Sequence, residues 1–515
     1  PAANLPHDTS STFLQEIADR MGGAGAGGSG DRGQRYLEGA VGGLPKVEAG
    51  LAPILAAEPR GPGGRFDGPS VRHALHRYFV REFGWRLSGL DPLGGAWNSS
   101  SPSDVAALQR MPAAVRDLVA ERLDGPGLEG SELAVLAWTL KYLIQDETDA
   151  RLHSAYSLLD LPLDQPVAHD SVQFALNVHM MSHVLKQEMD QLTRDQAVAI
   201  YQNMDRVYPS WGETVGFISK TMDAQRATEG ADPSSAMPFD AALRSLAAVS
   251  ERYGRWQDRE CRDMKGMLLP FEEHGSGRVR LADFYRASLG GQWQFSENLA
   301  YLRQLGALDE TEPATPRVII PNYILSFANC VGSTAYNDIC CVSECEGLMA
   351  HIERSVAGPS AEPAALEDII AALPSSTSQA GRRADVMLAR RLRQIAAQHD
   401  DGRVPIHGRL FAQWMHHAYP RECPYPHAAG ETKQVSVYDY VRSGKRYAAS
   451  PEEMSLVAAR PGRRDGPRET IPWDAREELI GAHPGRAVHP IGFAAVHAAS
   501  TLVAMAVVIA GLARM

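Results

Sequence analysis

The sequence predicts a mainly α, multi-helix ectodomain that ends in one transmembrane helix, and three observations carry that expectation. Apolar residues recur at helical spacing, as at Val71, Leu75, Tyr78, Phe79 and Phe83, which puts them on one helix face. The two-residue alternation of a strand is nearly absent. From Ile491 to Leu512 the chain reads IGFAAVHAASTLVAMAVVIAGL, 22 residues without a formal charge. At about 1.5 Å per residue, such a run is long enough for a hydrocarbon layer of roughly 30 Å.

Taken in chain order, the elements divide into five parts. Residues 1–67 are rich in Gly, Ala and Pro, with GGAGAGGSGDRG from Gly22 to Gly33; they read as an N-terminal arm that forms no core alone, although Phe13 to Met21 and Leu51 to Ala57 have helical character. An arm of this kind, if ordered, needs something to lie against, which points to a partner. Residues 68–266 read as one all-α domain. Its helices begin at Ser70 and at Ser131, the latter with Leu133, Leu136, Ala137, Leu140, Leu143 and Ile144 on one side, and continue over 172–190, 193–206 and 239–266. Residues 267–430 form a cysteine-rich helical domain, 431–488 a polar tether with ARPGRRDGPRE, and 489–513 the membrane helix.

At 515 residues the chain has room for two or three domains, and its 51 basic against 62 acidic residues leave a net charge of −11. That balance excludes a typical nucleic-acid binder, which presents a basic face to phosphate. Cysteine use points to an oxidising compartment. Of the six cysteines, Cys261, Cys330, Cys340, Cys341, Cys345 and Cys423, four fall within sixteen residues. They are disulfide candidates; adjacent Cys340 and Cys341 each require a more distant partner. Asn98 opens the sequon Asn98-Ser99-Ser100 and is a glycosylation candidate on a lumenal or extracellular surface.

Residues Glu272 to Phe284 resemble a calcium-binding EF-hand loop between two helices. Gly277 falls where the loop turns sharply, and Val279 where one apolar residue pairs with a sister loop. The calcium-like ligand positions are Glu272, His274, Ser276 and Asp283. A nitrogen ligand and a final Asp in place of the bidentate Glu make the site degenerate. Gly402-Arg403-Val404 echoes Gly277-Arg278-Val279, so a degenerate pair joined by Val279 and Val404 is expected. The whole chain also resembles an uncharacterised algal family of membrane-anchored ectodomains. The resemblance rests on RHALHRYF, LAVLAWTLKYLI, PNYILSFANC with CCVSECEGLMAHIER, and HGRLFAQWMHHAYPRECPYPH; it implies a coherent ectodomain and no catalytic activity.

Two histidine groups are candidate transition-metal ligands. His407, His416, His417 and His427 lie within twenty-one residues together with Cys423, and imidazole suits zinc, copper or iron. His179 and His183 lie four apart on one helix, near Asp146, Glu147 and Asp149 of the preceding one, but without the Glu of an HExxH site. No nucleophile elbow, phosphate-binding loop or dinucleotide fingerprint occurs. The expectation is therefore a membrane-anchored structural or interaction protein, an accessory subunit docked on other membrane-complex proteins, in the secretory pathway or a plastid. The alternatives are a metal-dependent enzyme at His407–His427 and a calcium-responsive adaptor.

Overall fold

Glycine and proline mark helix ends at both edges of the segment that matters most for the site. Asp67 accepts a hydrogen bond from the Ser70 backbone N–H at 3.0 Å, Pro69 occupies the first turn, and Gly84 closes the helix at φ 69°. This is an acceptor cap at the start and a left-handed residue at the end. The computed structural model describes residues 9–22, 29–90, 106–232, 235–288, 294–373, 386–459 and 473–480. The expected membrane helix and Asn98 lie outside them. Among the described residues there are twenty α-helices and eight strands of two or three residues. No described helix is long and apolar enough to cross a membrane.

Three hydrophobic cores organise the chain. The first is built by α1 (Thr9–Gly22), α2 (Ser29–Ala57), α3 (Gly68–Phe83), β1 (Trp85–Leu87), α4 (Ala106–Gln109), α5 (Ala113–Asp124), α6 (Gly130–Leu158), α7 (His169–Leu185), α8 (Arg194–Tyr201), α9 (Met204–Val207), α10 (Trp211–Thr228) and the first half of α11 (Phe239–Leu268). The residues expected as an arm therefore belong to this core: Phe13, Ile17, Tyr36 and Leu51 are fully buried. What α1 and α2 lie against is the chain itself.

The second half of α11 opens the second core, with β2 (Arg278–Arg280), α12 (Leu281–Ser288), α13 (Leu299–Gln304), β3 (Leu308–Asp309), β4 (Arg317–Ile319) and α14 (Ile320–Ile324). Strands β5 (Val331–Ser333) and β6 (Asn337–Ile339) then return to β1, giving a sheet of order β1-β6-β5. The third core contains α15 (Glu344–Val356), β7 (Ser360–Ala361), α16 (Pro363–Ala371), α17 (Val386–Ala396), β8 (Val404–Pro405) and α18 (Arg409–Ala418). Trp414 is fully buried there, and its indole N–H donates to the Leu388 carbonyl at 2.8 Å.

Helix, short strand and helix recur in both later cores, and the strands pair antiparallel. Val279 faces Val318, and Val404 faces Ala361. The expected bridge between Val279 and Val404 is thus replaced by two separate bridges, because each strand finds its partner within its own core. The expected tether is also packed in large part. Helices α19 (Val437–Arg442) and α20 (Pro451–Ala458) return Tyr440 and Met454 to the second core, and Trp473 packs on the third.

All six cysteines are paired: Cys261 with Cys341, Cys330 with Cys340, and Cys345 with Cys423. The adjacent Cys340 and Cys341 serve different bridges, as their spacing requires. Two bridges close loops of 80 and 78 residues, tying α11 and the segment after α18 to the same short stretch of chain.

Candidate functional site: a buried histidine and arginine cavity

His73, His76 and Arg77 stand at i, i+3 and i+4 on α3, so they share one face. That face is turned inward, and all three are at least nine-tenths buried. One strand further on, Arg86 of β1 is also buried; its guanidinium lies 3.9 Å from the Phe327 ring centre and donates to the Leu325 carbonyl at 3.2 Å. Burial lowers the Arg86 pKa to about 9, with Asp338 opposing the shift.

This face forms one wall of a cavity of about 560 Å³ at the junction of the three cores. The first core contributes α3 and β1, the second Leu325 and Cys341, and the third Cys345, Ile406, Met415 and Cys423. Leu479 and Ile480 close it from the far C-terminal part of the described chain. One cysteine or more from each disulfide lines the wall, so the crosslinks fix the elements that shape it. The lining combines apolar side chains with Arg77, Arg86, Arg409 and four histidines, against the carboxylates of Glu346 and Glu478. The His76 Nδ1 is buried without a hydrogen-bond partner among the described residues. Burial, followed by repulsion from Arg86, His73 and Arg77, pushes its pKa well below the usual histidine range.

Behind the same wall, Glu58 from the exit of α2 meets His73 and His407. Their ligand-type atoms all lie within 4.8 Å of one another, and all three residues are buried. Glu58 Oε1 contacts His73 Nδ1 and lies 3.7 Å from His407 Nδ1. The two imidazole ring centres are 4.7 Å apart. His407 Nε2 donates to Glu353 Oε1 at 2.9 Å, so the lone pair of this ring is on Nδ1 and is directed to Glu58 and His73. Arg77 holds Glu353 through two contacts of 2.5 and 3.2 Å and also pairs with Glu346.

These charges pull in opposite directions. Burial pushes the Glu58 carboxyl up to about 7, against the favourable fields of His407 and Arg77. Burial likewise holds His73 down at about 3, and Arg77 adds to that shift. At Glu353 burial opposes ionisation, but Arg77 and the His407 hydrogen bond outweigh it and hold the carboxyl at about 2. Glu346 and Glu353 thus both pair with the Arg77 guanidinium, and Glu58 lies within reach of its field.

The four candidate histidines of the 407–427 segment go to separate places. His407 joins Glu58 and His73, whereas His416 is fully buried and neutral: Nδ1 donates to the Cys423 carbonyl at 2.8 Å and Nε2 accepts from Arg278 at 3.1 Å. His417 packs beside Trp473, with ring centres 6.2 Å apart. His427 donates from Nε2 to the Gly306 carbonyl at 2.7 Å and lines the cavity. The His179 and His183 rings stack 6.3 Å apart. The carboxylates expected to join them are engaged elsewhere, Asp146 with Arg32 and Glu147 with the Ala335 N–H.

The calcium-like positions are met by guanidinium groups. Glu272 accepts from the Gly277 N–H at 2.6 Å and pairs with Arg421 at 2.6 Å; Asp283 pairs with Arg280, also at 2.6 Å, and with Arg286. The Ser276 carbonyl accepts from Arg278 at 2.9 Å, and His274 sits at φ 54° at the loop apex. Glu58, His73, Arg77, Arg86 and Glu353 are functional candidates that the sequence reading passes over. One signal was there: His73-x-x-His76-Arg77 repeats at helical spacing beside an apolar face. No family model, no curated protein and no solved structure matches the chain.

Proposed function

We propose that this chain is a ligand-binding ectodomain whose central cavity takes a small amphipathic organic anion, such as a carboxylate with a hydrocarbon body. The observation that carries the reading is the cavity itself. Its volume of about 560 Å³ lies within the range usual for small-molecule sites, and its lining pairs apolar walls with a few convergent polar groups. Arg86 and His76 supply donors for an anionic head, and Val80, Leu325, Met349 and Met415 supply the apolar wall.

The three disulfides support an oxidising compartment, and the uncharged run from Ile491 to Leu512 supports a membrane anchor at its edge. The accessory-subunit reading drew on an arm in need of a partner; α1 and α2 have their cover within the chain, which moves the weight to the cavity. In the same proposal, α11, β2 and α12 form an EF-hand-like unit that serves as structure, with arginines where a calcium ion would otherwise sit. A titration of decanoate against decanol tests the ligand reading. Saturable binding of the acid, and weaker binding of the alcohol, is the expected result; binding of neither overturns it.

A further inference from the structure

Glu58, His73 and His407 carry a feature that anion binding in the cavity does not use. Buried polar atoms are normally satisfied, and each exception calls for an explanation. Two atoms of this cluster, Glu58 Oε2 and His407 Nδ1, are buried without a hydrogen-bond partner among the described residues. The His407 proton is committed on Nε2 to Glu353, which leaves Nδ1 with its lone pair, and the Glu58 carboxyl keeps a lone pair on each oxygen. The other oxygen of that carboxylate, Oε1, lies 3.7 Å from His407 Nδ1, and lone pairs buried this close to one another favour a cation between them.

We propose that Glu58, His73 and His407 bind one divalent transition-metal ion of the zinc class. Two imidazole nitrogens and one carboxylate form a recognised donor set for such ions. Tetrahedral zinc with bonds of about 2.0–2.1 Å separates its ligand atoms by about 3.3 Å, and Glu58 Oε1 to His407 Nδ1 is 3.7 Å. The ion would replace the direct Glu58–His73 contact, so that pair opens while the Glu58–His407 gap closes, through side-chain adjustments at each residue.

The surroundings fit the same assignment. A metal-bound histidine typically donates its second ring N–H to a carboxylate, which fixes the tautomer and raises the basicity of the ligand. Glu353 does this for His407 at 2.9 Å, and Arg77 holds Glu353 in turn. A dication also balances a cluster in which Glu346 and Glu353 both pair with Arg77 and Glu58 is buried beside them without an arginine contact of its own among the described residues. His73 and His407 line the cavity, whereas the Glu58 side chain is fully enclosed behind them. Any fourth ligand is therefore on the cavity side, where a bound water or an anion can reach it. This open position is what separates catalytic from structural zinc sites.

The inference does not depend on what occupies the cavity, because the metal can be titrated alone. Full-length protein, stripped with a chelator, is titrated with Co²⁺ followed optically and then with Zn²⁺ as competitor. One equivalent of Co²⁺, displaced by Zn²⁺, is the expected result. Glu58→Gln and His407→Gln should each weaken binding by about 100-fold or more, and Glu353→Gln by roughly 10- to 100-fold through the lost outer-shell contact. A His417→Gln variant, on a ring that packs beside Trp473 away from the site, should bind as the parent does. Should the ligand variants fail to fold, X-ray absorption of the zinc-loaded parent still decides the matter, with two imidazoles and oxygen ligands expected. Absence of saturable uptake by the parent, unchanged uptake in folded Glu58→Gln and His407→Gln, or a shell without two imidazoles would each overturn the proposal.

Discussion

Glu297 shows how a single buried carboxyl shapes the pH response of the fold. Its side chain accepts from the Tyr323 hydroxyl at 3.2 Å, and its backbone carbonyl accepts from Tyr285 at 2.9 Å. Burial raises its pKa to about 6, against the hydrogen bonds that favour the ion. An acid whose folded pKa exceeds its unfolded value of 4.5 stabilises the fold fully below that value and loses the contribution as pH rises through about 6. The shift corresponds to about 2 kcal/mol. Glu297→Gln removes the cost of the buried charge, so its stability relative to the parent should improve by about that amount between pH 4 and pH 7. Chemical denaturation at the two pH values checks this; a constant difference between the proteins contradicts it. At this scale the site was poorly legible. His407 is visible as a candidate in the sequence, but Glu58 lies 349 positions away from it, and only folding brings the two within 3.7 Å.

Helices were legible where periodicity was long and unbroken. The expected starts at Ser70 and Ser131 agree with α3 and α6, and the expected helix over 239–266 with α11 at Phe239–Leu268. Helix α2 was not legible, because its glycines and Pro45 and Pro53 imitate a linker. The packing gives the reason for the glycines: a Cβ at Gly43 would stand 2.1 Å from the Trp138 ring, and one at Gly50 would stand 2.8 Å from Tyr78. These positions let α2 approach its neighbours closely, a tertiary demand that overrides helix propensity. The strands were missed because two or three residues are too few to show alternation.

The disulfides make a prediction at the same scale. In the loop-entropy account, a crosslink closing about 80 residues contributes about 4.5 kcal/mol, and one closing about 10 residues about 2.7 kcal/mol. Cys345→Ser/Cys423→Ser, which opens 78 residues, should therefore destabilise the protein more than Cys330→Ser/Cys340→Ser, which opens 10. Equal unfolding midpoints for the two double variants would argue against this ordering. The loop from Glu272 to Asp283 predicts silence toward calcium, since its carboxylates already face Arg280, Arg286 and Arg421. Calorimetry at millimolar calcium should register no heat beyond dilution, and a saturable signal lost in Asp283→Asn would refute that.

Taken as a whole, the described residues form three cores that meet at a cavity, with one long-range disulfide inside the second core and another inside the third. The mainly helical class and the presence of disulfides are readable from periodicity and cysteine clustering, because those depend on neighbours in sequence. The cavity is not, because its wall is drawn from residues as far apart as His73 and Ile480. Ala412 sits exposed at the rim of this cavity on α18, so Ala412→Trp offers a way to fill the opening without disturbing buried packing. The most direct measurement is calorimetric titration of the full-length protein and of Ala412→Trp with decanoate and with decanol. Saturable binding of decanoate to the parent, weaker binding of decanol, and loss of both in a folded Ala412→Trp are predicted. Decanoate binding that survives in Ala412→Trp, or its absence from the parent, would contradict a cavity built for an amphipathic anion.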